Sequence, residues 1–457
     1  MNRIWAVARI TFISSMRMKT AIVFMLLLIV LLPTLSLTST GDGTAMGRVQ
    51  SFMSYGLGLV VFLLSVLTII VSCYTLSSDI KHKQIYTVIT KPIRRFELII
   101  GKILGVVILD LLLLFVFSSV IYALTLQMPR LSKADELELK RLKNEFYTAR
   151  AGLRGNLDEL AIENSALEAY NKLVQTDQLD KSRSKEEILS ELRKTERYSR
   201  TSAEPGGQVL WEFDHVKPFN ANESIFIRFK FNASQTPPDK NIYGTWYVGD
   251  YRQIKYGQSR MQTPIYTIPR KDIVYSLHEF EVPADAVAAD GYLAVVFYNQ
   301  PINGTTVIFP IEDGFEALYK AGSFGNNFLR VIAVIFVRLV FLAVLGVSLS
   351  VWLGFPVAIL CSFSIFFMGI INGFVVGSFG YLGQDMKVFY QYVVKPLVWL
   401  LPKFDENYNI SKYIIDARLI KSGFLVFVAG ALVIKSLILL LAGFLIFAKR
   451  EIAKVIV

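Results

Sequence analysis

Three charged residues, Asp110, Arg338 and Lys435, stand near the middle of otherwise apolar stretches of this chain. A charge in lipid is costly unless it is paired or hydrated, and intramembrane charges mark structural or functional positions. Asp110 is therefore expected to pair with Arg338 or Lys435, as a structural lock or as the polar lining of a translocation path. Other chemistry is sparse. His82, His215 and His278 lie far apart, without metal-ligand spacing, and Cys73 and Cys361 both fall in apolar stretches, so neither a metal site nor a disulfide is expected. The chain has no GxxxxGK[ST], GxSxG, HExxH or CxxC motif. No catalytic residue and no cofactor is assigned, and energy for any work is expected from a partner or a gradient.

The segment 77–102, SSDIKHKQIYTVITKPIRRFELIIGK, is more informative. It predicts a short helix from about 81 to 90, stopped before Pro92, with Ile85, Tyr86 and Ile89 on an apolar face beside a basic one. An exposed face of that kind needs a partner.

These residues must be positioned by a membrane protein. Of 457 residues, 53% are hydrophobic and only 19% charged, with 33 Phe and 21 Tyr, which excludes a wholly soluble and a disordered chain. Six apolar runs of spanning length lie near 20–39, 52–76, 99–125, 327–349, 352–376 and 423–447. The net charge of +11 does not point to nucleic acid. From Leu131 to Ser323 there are 24 Lys/Arg against 28 Asp/Glu; the apolar remainder carries 24 against 9. The basic excess thus accompanies the spans, as expected for a chain whose cytoplasmic face is held by Lys and Arg. Six spans with basic flanks at both ends and at 81–102 predict cytoplasmic termini, a multi-pass chain in the cell (inner) membrane, and 129–325 on the far side. Ahead of the first span, Trp5, Ala8, Phe12 and Met16 recur at helical spacing, which predicts an amphipathic helix on the cytoplasmic leaflet.

The insertion has two parts. In 129–204, Leu139, Leu142, Phe146, Ala149, Leu153, Leu157, Leu160, Asn164, Leu167, Asn171 and Val174 follow a 3,4 spacing that predicts a coiled coil, as a rod or as a hairpin broken at Gly152 and Gly155. Ser184 and Glu187 form a capping box for a further helix. In 205–325 the period changes to two. Val209, Trp211 and Phe213, then Ile225, Ile227, Phe229 and Phe231, with later runs near 243–248, 275–282, 291–298 and 305–309, predict a β-sandwich. The domains expected are thus 1–128, with three spans and the segment 77–98; 129–204; 205–325; and 326–457, with three more spans.

The segment 77–102 resembles the coupling segment of type-2 ABC transporter permeases: an acidic or polar start, a Thr-containing helix, a Lys/Arg-Pro-Ile turn and a following Gly-Lys. The amphipathic first helix is similar to the family's connecting helix, and six spans with both ends inside is its usual membrane unit. Leu349-Ser350 through Pro356-Val357-Ala358, and Leu401-Pro402-Lys403-Phe404 with Asn409, are similar to patterns in some members. The resemblance covers roughly 250 membrane residues; the large insertion departs from most small members. It implies the permease subunit of an export system, working as a homodimer or as one of a pair with a separate ABC ATPase that binds the ATP. Ile85, Tyr86, Thr87, Ile89, Lys91 and Pro92 would then transmit the ATPase's motion. The alternative from another class is a membrane-anchored envelope scaffold or receptor, for which no coupling helix is needed.

Overall fold

A computed structural model describes residues 2–81, 94–131, 135–154, 159–176, 184–216, 224–255, 263–311, 313–378, 392, 394–404 and 410–449. The chain divides into two units, Met1–Thr148 with Ser323–Val457, and Ala149–Gly322. The inserted unit therefore starts at Ala149, whereas composition had put its start at 129.

The first unit contains the helices α1 (Asn2–Met16), α2 (Lys19–Thr38), α3 (Ala45–Lys81), α4 (Arg95–Leu131) and α5 (Glu136–Glu145). After α6 and α7, which belong to the inserted unit, it resumes with α8 (Phe324–Ser350), α9 (Phe355–Ser378), α10 (Lys395–Leu400), α11 (Ile410–Ile415) and α12 (Ser422–Lys449). Six of these, α2, α3, α4, α8, α9 and α12, are long and apolar enough to cross a membrane. Their positions match the six apolar runs. The two helices that flank the segment 82–93 are longer than their runs suggested. Each has 37 residues, about 55 Å at 1.5 Å per residue, nearly twice a ~30 Å hydrocarbon core.

The bundle is centred on α3, α4 and α8, whose facing side chains include Leu64, Leu67, Val106, Leu113, Ile335 and Leu342, all buried. The end of this core next to α5 is aromatic. Tyr122, Phe146, Tyr147, Phe324 and Phe328 lie with ring centroids 5.3–6.1 Å apart in their contacting pairs. Phe146 was read as part of a coiled-coil seam; it is instead a member of the bundle core.

That seam does not form. Residues Thr148–Leu153 are a strand, β1, so Ala149 and Leu153 leave the helical register. What remains of the helical part is α6 (Glu159–Gln175) packed on α7 (Lys185–Arg200). Arg193 takes Glu163 in a bidentate grip, with N···O distances of 2.6 and 2.9 Å, and Arg197 bonds Glu159 at 2.6 Å. The capping box forms: Ser184 Oγ accepts from the Glu187 amide while the Glu187 side chain accepts from the Ser184 amide.

The rest of the inserted unit is β-rich, with open antiparallel sheets. One sheet has the order β1–β11–β4–β8, where β4 is Ser224–Phe229, β8 His278–Pro283 and β11 Phe315–Ser323. Another has the order β3–β9–β6–β7, where β3 is Gln208–Phe213, β6 Asn241–Gly249, β7 Tyr266–Ile273 and β9 Leu293–Asn299. The short strands β2 (Ser202–Ala203), β5 (Asn232–Ala233) and β10 (Val307–Ile308) form a third sheet. Alternate residues of both large sheets, including Trp211, Phe229, Trp246, Phe280, Phe297 and Phe315, enter one core.

The opposite face of the first sheet carries charge. In register across it stand Glu316, Arg228 and Glu279, and the Arg150 guanidinium of β1 reaches Glu279 at 2.6 Å. Arg228 bonds the second Glu279 oxygen at 2.8 Å. Burial works against the Glu279 charge, yet the two guanidinium groups outweigh it and hold the carboxyl below its ordinary 4.5. A depressed folded value contributes stability above the unfolded value and loses it as the pH falls through the folded one. The unfolding midpoint of the wild type is therefore expected to fall on acidification below about 4.5, and its advantage over Glu279→Gln to shrink there. A constant advantage from pH 7 down would remove this role of the cluster.

Candidate functional site

The residues assigned to coupling, Ile85, Tyr86, Thr87, Ile89, Lys91 and Pro92, lie outside the described residues. The helix ends on either side of them are described, and they are tied together. On α3, Asp79 sits one turn beyond Thr75; on α4, Lys102 sits two turns from the helix start. The Lys102 ammonium lies 2.5 Å from Asp79 Oδ2 and donates to the Thr75 carbonyl at 2.8 Å, and its side chain is only 6% exposed. The first turn of α4 is fixed as well: the Glu97 carboxylate accepts from the Arg94 amide at 2.8 Å, the return half of a capping box. Arg95 donates to the carbonyl of Phe447 on α12 at 2.9 Å and lies 5.9 Å from its ring centroid. Leu76, Leu98, Ile99, Val347, Val351 and Phe447 close an apolar cluster around these polar contacts.

α1 docks on α4 at the same end. The approach is close because α4 presents Gly101 and Gly105. A Cβ at Gly101 would fall 2.6 Å from Val7 Cβ, and one at Gly105 would fall 2.6 Å from Thr11 Cβ and 2.7 Å from the Ala8 carbonyl oxygen. On α1 the buried stripe is Ala8, Thr11 and Ser15, while Trp5 is 62% exposed. Of the expected apolar face, Ala8 is buried and Phe12 and Met16 are partly buried against the bundle core, so only Trp5 stands outside the packing. Small residues win because they let two backbones meet, the small-xxx-small pattern of membrane helices. Gly101-x-x-x-Gly105 is the sequence signal for that contact, and the sequence reading passed over it.

The three charges within the long apolar helices do not pair with one another. Asp110, 1% exposed, takes Thr68 of α3 as its partner: Thr68 Oγ lies 2.9 Å from Asp110 Oδ1 and 2.7 Å from the Leu64 carbonyl, one proton facing two acceptors. Its Oδ2 has no hydrogen-bond partner among the described residues. Lys435 of α12 donates to the carbonyls of Trp399 and Leu401 at 2.8 and 2.6 Å, capping the C-terminal end of α10. Arg338 of α8 stacks its guanidinium on Phe404, 4.2 Å from the ring centroid, with Phe366 at 5.3 Å. The Phe404 amide in turn donates to the Gly369 carbonyl of α9 at 2.9 Å. Carbonyl dipoles and aromatic faces thus serve the two cations where a carboxylate was expected, and both cations hold the 395–404 segment against the bundle. The Leu401-Pro402-Lys403-Phe404 run supplies that contact. Asn409 lies outside the described residues.

Among the described residues there is no group of three or more His, Cys, Asp or Glu side chains placed to hold a metal ion. No family model matches the chain, and no curated protein matches it.

Proposed function

We propose that this chain is the membrane subunit of an ATP-binding-cassette exporter of the type-2 permease kind. A separate ATPase would bind in the cytoplasm at 81–90, with Ile85, Tyr86, Thr87, Ile89, Lys91 and Pro92 as the contact and turn residues. Both termini then lie in the cytoplasm, the inserted unit lies on the far side of the membrane as a β-sandwich with a helical hairpin, and the chain works as a homodimer or as one of a pair. The observation that carries this reading is the tie between Lys102, Asp79 and Thr75. A segment that transmits motion needs stiff stems, because a push on a loop between independent helices is lost in bending of the loop. Here the two stems share a nearly buried ion pair, and α1 and α12 are fastened to the same place. ATP-driven closure of the ATPase would displace α3 and α4 together, a shift of population driven by the partner's unequal contacts with two states. The work done is transport of a substrate or remodelling of the envelope by the outer unit.

The test is retention of the ATPase. Full-length chain purified from its native membrane is expected to carry an ATPase with a phosphate-binding GxxxxGK[ST] loop. Tyr86→Asp and Ile89→Asp are each expected to lose it, since each places a charge in the apolar contact. Recovery of the chain without any such ATPase, or equal recovery with both variants, leaves the scaffold or receptor reading in its place.

A further inference from the structure

The β3–β9–β6–β7 sheet turns a second face away from the aromatic core, and that face is hollow. Gln208 and Tyr298 stand opposite each other on β3 and β9, and Tyr247 of β6 stands opposite Val296 of β9. Ala294 follows Val296 on the same face, so the floor is made of small side chains between larger ones. The helical turn after β6 brings Tyr251 over one side. The result is a cavity of about 300 Å³ lined by these residues together with Gly249, Ile254 and Ile265, at the lower end of the range for small-molecule sites.

Its chemistry is uniform. No lining side chain is charged. The charges beside the cavity are engaged: Glu212, opposite Ala294 on the same face, accepts from the Tyr292 hydroxyl, and Arg252 bonds both Asp250 and Asp290 and lies 3.9 Å over the Tyr292 ring, which also fixes the turn that carries Tyr251. Neither an anion nor a cation finds a counter-charge on these walls. A purely apolar ligand is disfavoured too, because three tyrosines and one glutamine line the cavity, and their phenol and carboxamide groups have no hydrogen-bond partner among the described residues. Rings that offer flat apolar faces, edged by neutral donors and acceptors, match a ligand with C–H faces and an equatorial rim of hydroxyls. We infer that this hollow binds a neutral saccharide, with a sugar ring against Tyr247 or Tyr298 and its hydroxyls bonded to the phenols and to Gln208. The inference rests on the inserted unit alone and stands or falls apart from ATPase binding at 81–90.

Chitotriose, cellotriose and maltotriose are suitable probes, titrated separately into the full-length chain in lipid nanodiscs and followed by saturation-transfer difference NMR. At least one is expected to bind, with transfer strongest at the ring C–H protons. Tyr247→Ala and Tyr298→Ala should each weaken that sugar about tenfold or more, equivalent to losing ~1.4 kcal/mol of binding free energy. Tyr298→Phe, which keeps the stacking face and removes one hydroxyl, should weaken it less than Tyr298→Ala. These side chains lie outside the aromatic core, so the thermal unfolding midpoint should stay at the wild-type value; Gln208→Ala, on the open edge strand, serves as a further variant if it does not. Absence of transfer to all three sugars at millimolar concentration overturns the inference. So does sugar binding indifferent to all four substitutions, or preferential binding of an uncharged tripeptide that the same substitutions abolish.

Discussion

Asp79→Ala is expected to destabilise the helical unit severely and to disconnect the stems of the 82–93 segment. The partner left behind, Lys102, has a side chain that is only 6% exposed and would keep the Thr75 carbonyl as its acceptor. Removing one member of a buried ion pair costs about 3–5 kcal/mol, most of it the uncompensated charge that remains. Asp79 itself is 23% exposed, so water partly screens the pair, and the lower end of that range is the appropriate figure. The double variant Asp79→Ala with Lys102→Met should recover most of the loss, because no charge is then stranded among Leu76, Ile99 and Val347. Thermal unfolding of the detergent-solubilised wild type, Asp79→Ala, Lys102→Met and the double variant gives the four midpoints from which the coupling energy follows. Under the proposed function, a second reading separates stability from transmission: the double variant should retain the ATPase yet lose stimulation of its activity. A single Asp79→Ala variant that melts like the wild type would show that the stems are held by the apolar cluster alone.

The six helices long and apolar enough to span a membrane were legible because a bilayer demands only length and apolar composition, and both are properties of a contiguous stretch. The stem tie was not. Asp79 and Lys102 are each visible as charges, but nothing in the spacing says that α3 continues past its apolar run and α4 begins before its own, bringing the two side by side. The misread coiled coil has the same origin. Ala149 and Leu153 keep a 3,4 spacing with their neighbours, while the interaction that draws Thr148–Leu153 into a sheet is Arg150 bonded to Glu279, 129 residues away. Local periodicity is a weak prior against a buried ion pair and a free sheet edge. β7 was overlooked for a different reason. Pro269 argues against a central strand, but β7 is an edge strand, where one amide fewer is tolerated. The three charges within the long apolar helices were partnered wrongly, since the expectation considered only carboxylates, whereas Lys435 bonds helix-end carbonyls and Arg338 stacks on Phe404, its Nε having no hydrogen-bond partner among the described residues.

Trp246→Ala is expected to unfold much of the β-rich unit. Trp246 is fully buried on the inner strand β6, with ring centroids of Phe229, Phe297 and Phe280 at 4.5, 4.9 and 5.5 Å, and Trp211 stacked at 6.1 Å. Both large sheets contribute these rings, so the indole is the piece that fills the space between them. Truncation to Ala removes its transfer free energy and leaves a cavity whose rigid aromatic walls collapse poorly, a loss of about 3–5 kcal/mol. For a unit of this size that corresponds to a fall of roughly 6–20 °C in its unfolding midpoint. Trp246→Phe should cost less than half as much, for a reason specific to this site. The indole Nε1 is buried without a hydrogen-bond acceptor among the described residues, and an unsatisfied buried donor carries a penalty of about 1–3 kcal/mol. Phenylalanine gives up packing volume but also removes that donor, so the two changes partly cancel. Differential scanning calorimetry of the full-length chain, with the β-rich transition followed by near-UV circular dichroism, distinguishes the variants. A loss for Phe of half the Ala loss or more would mean that Nε1 finds an acceptor in the protein and that its removal relieves no penalty.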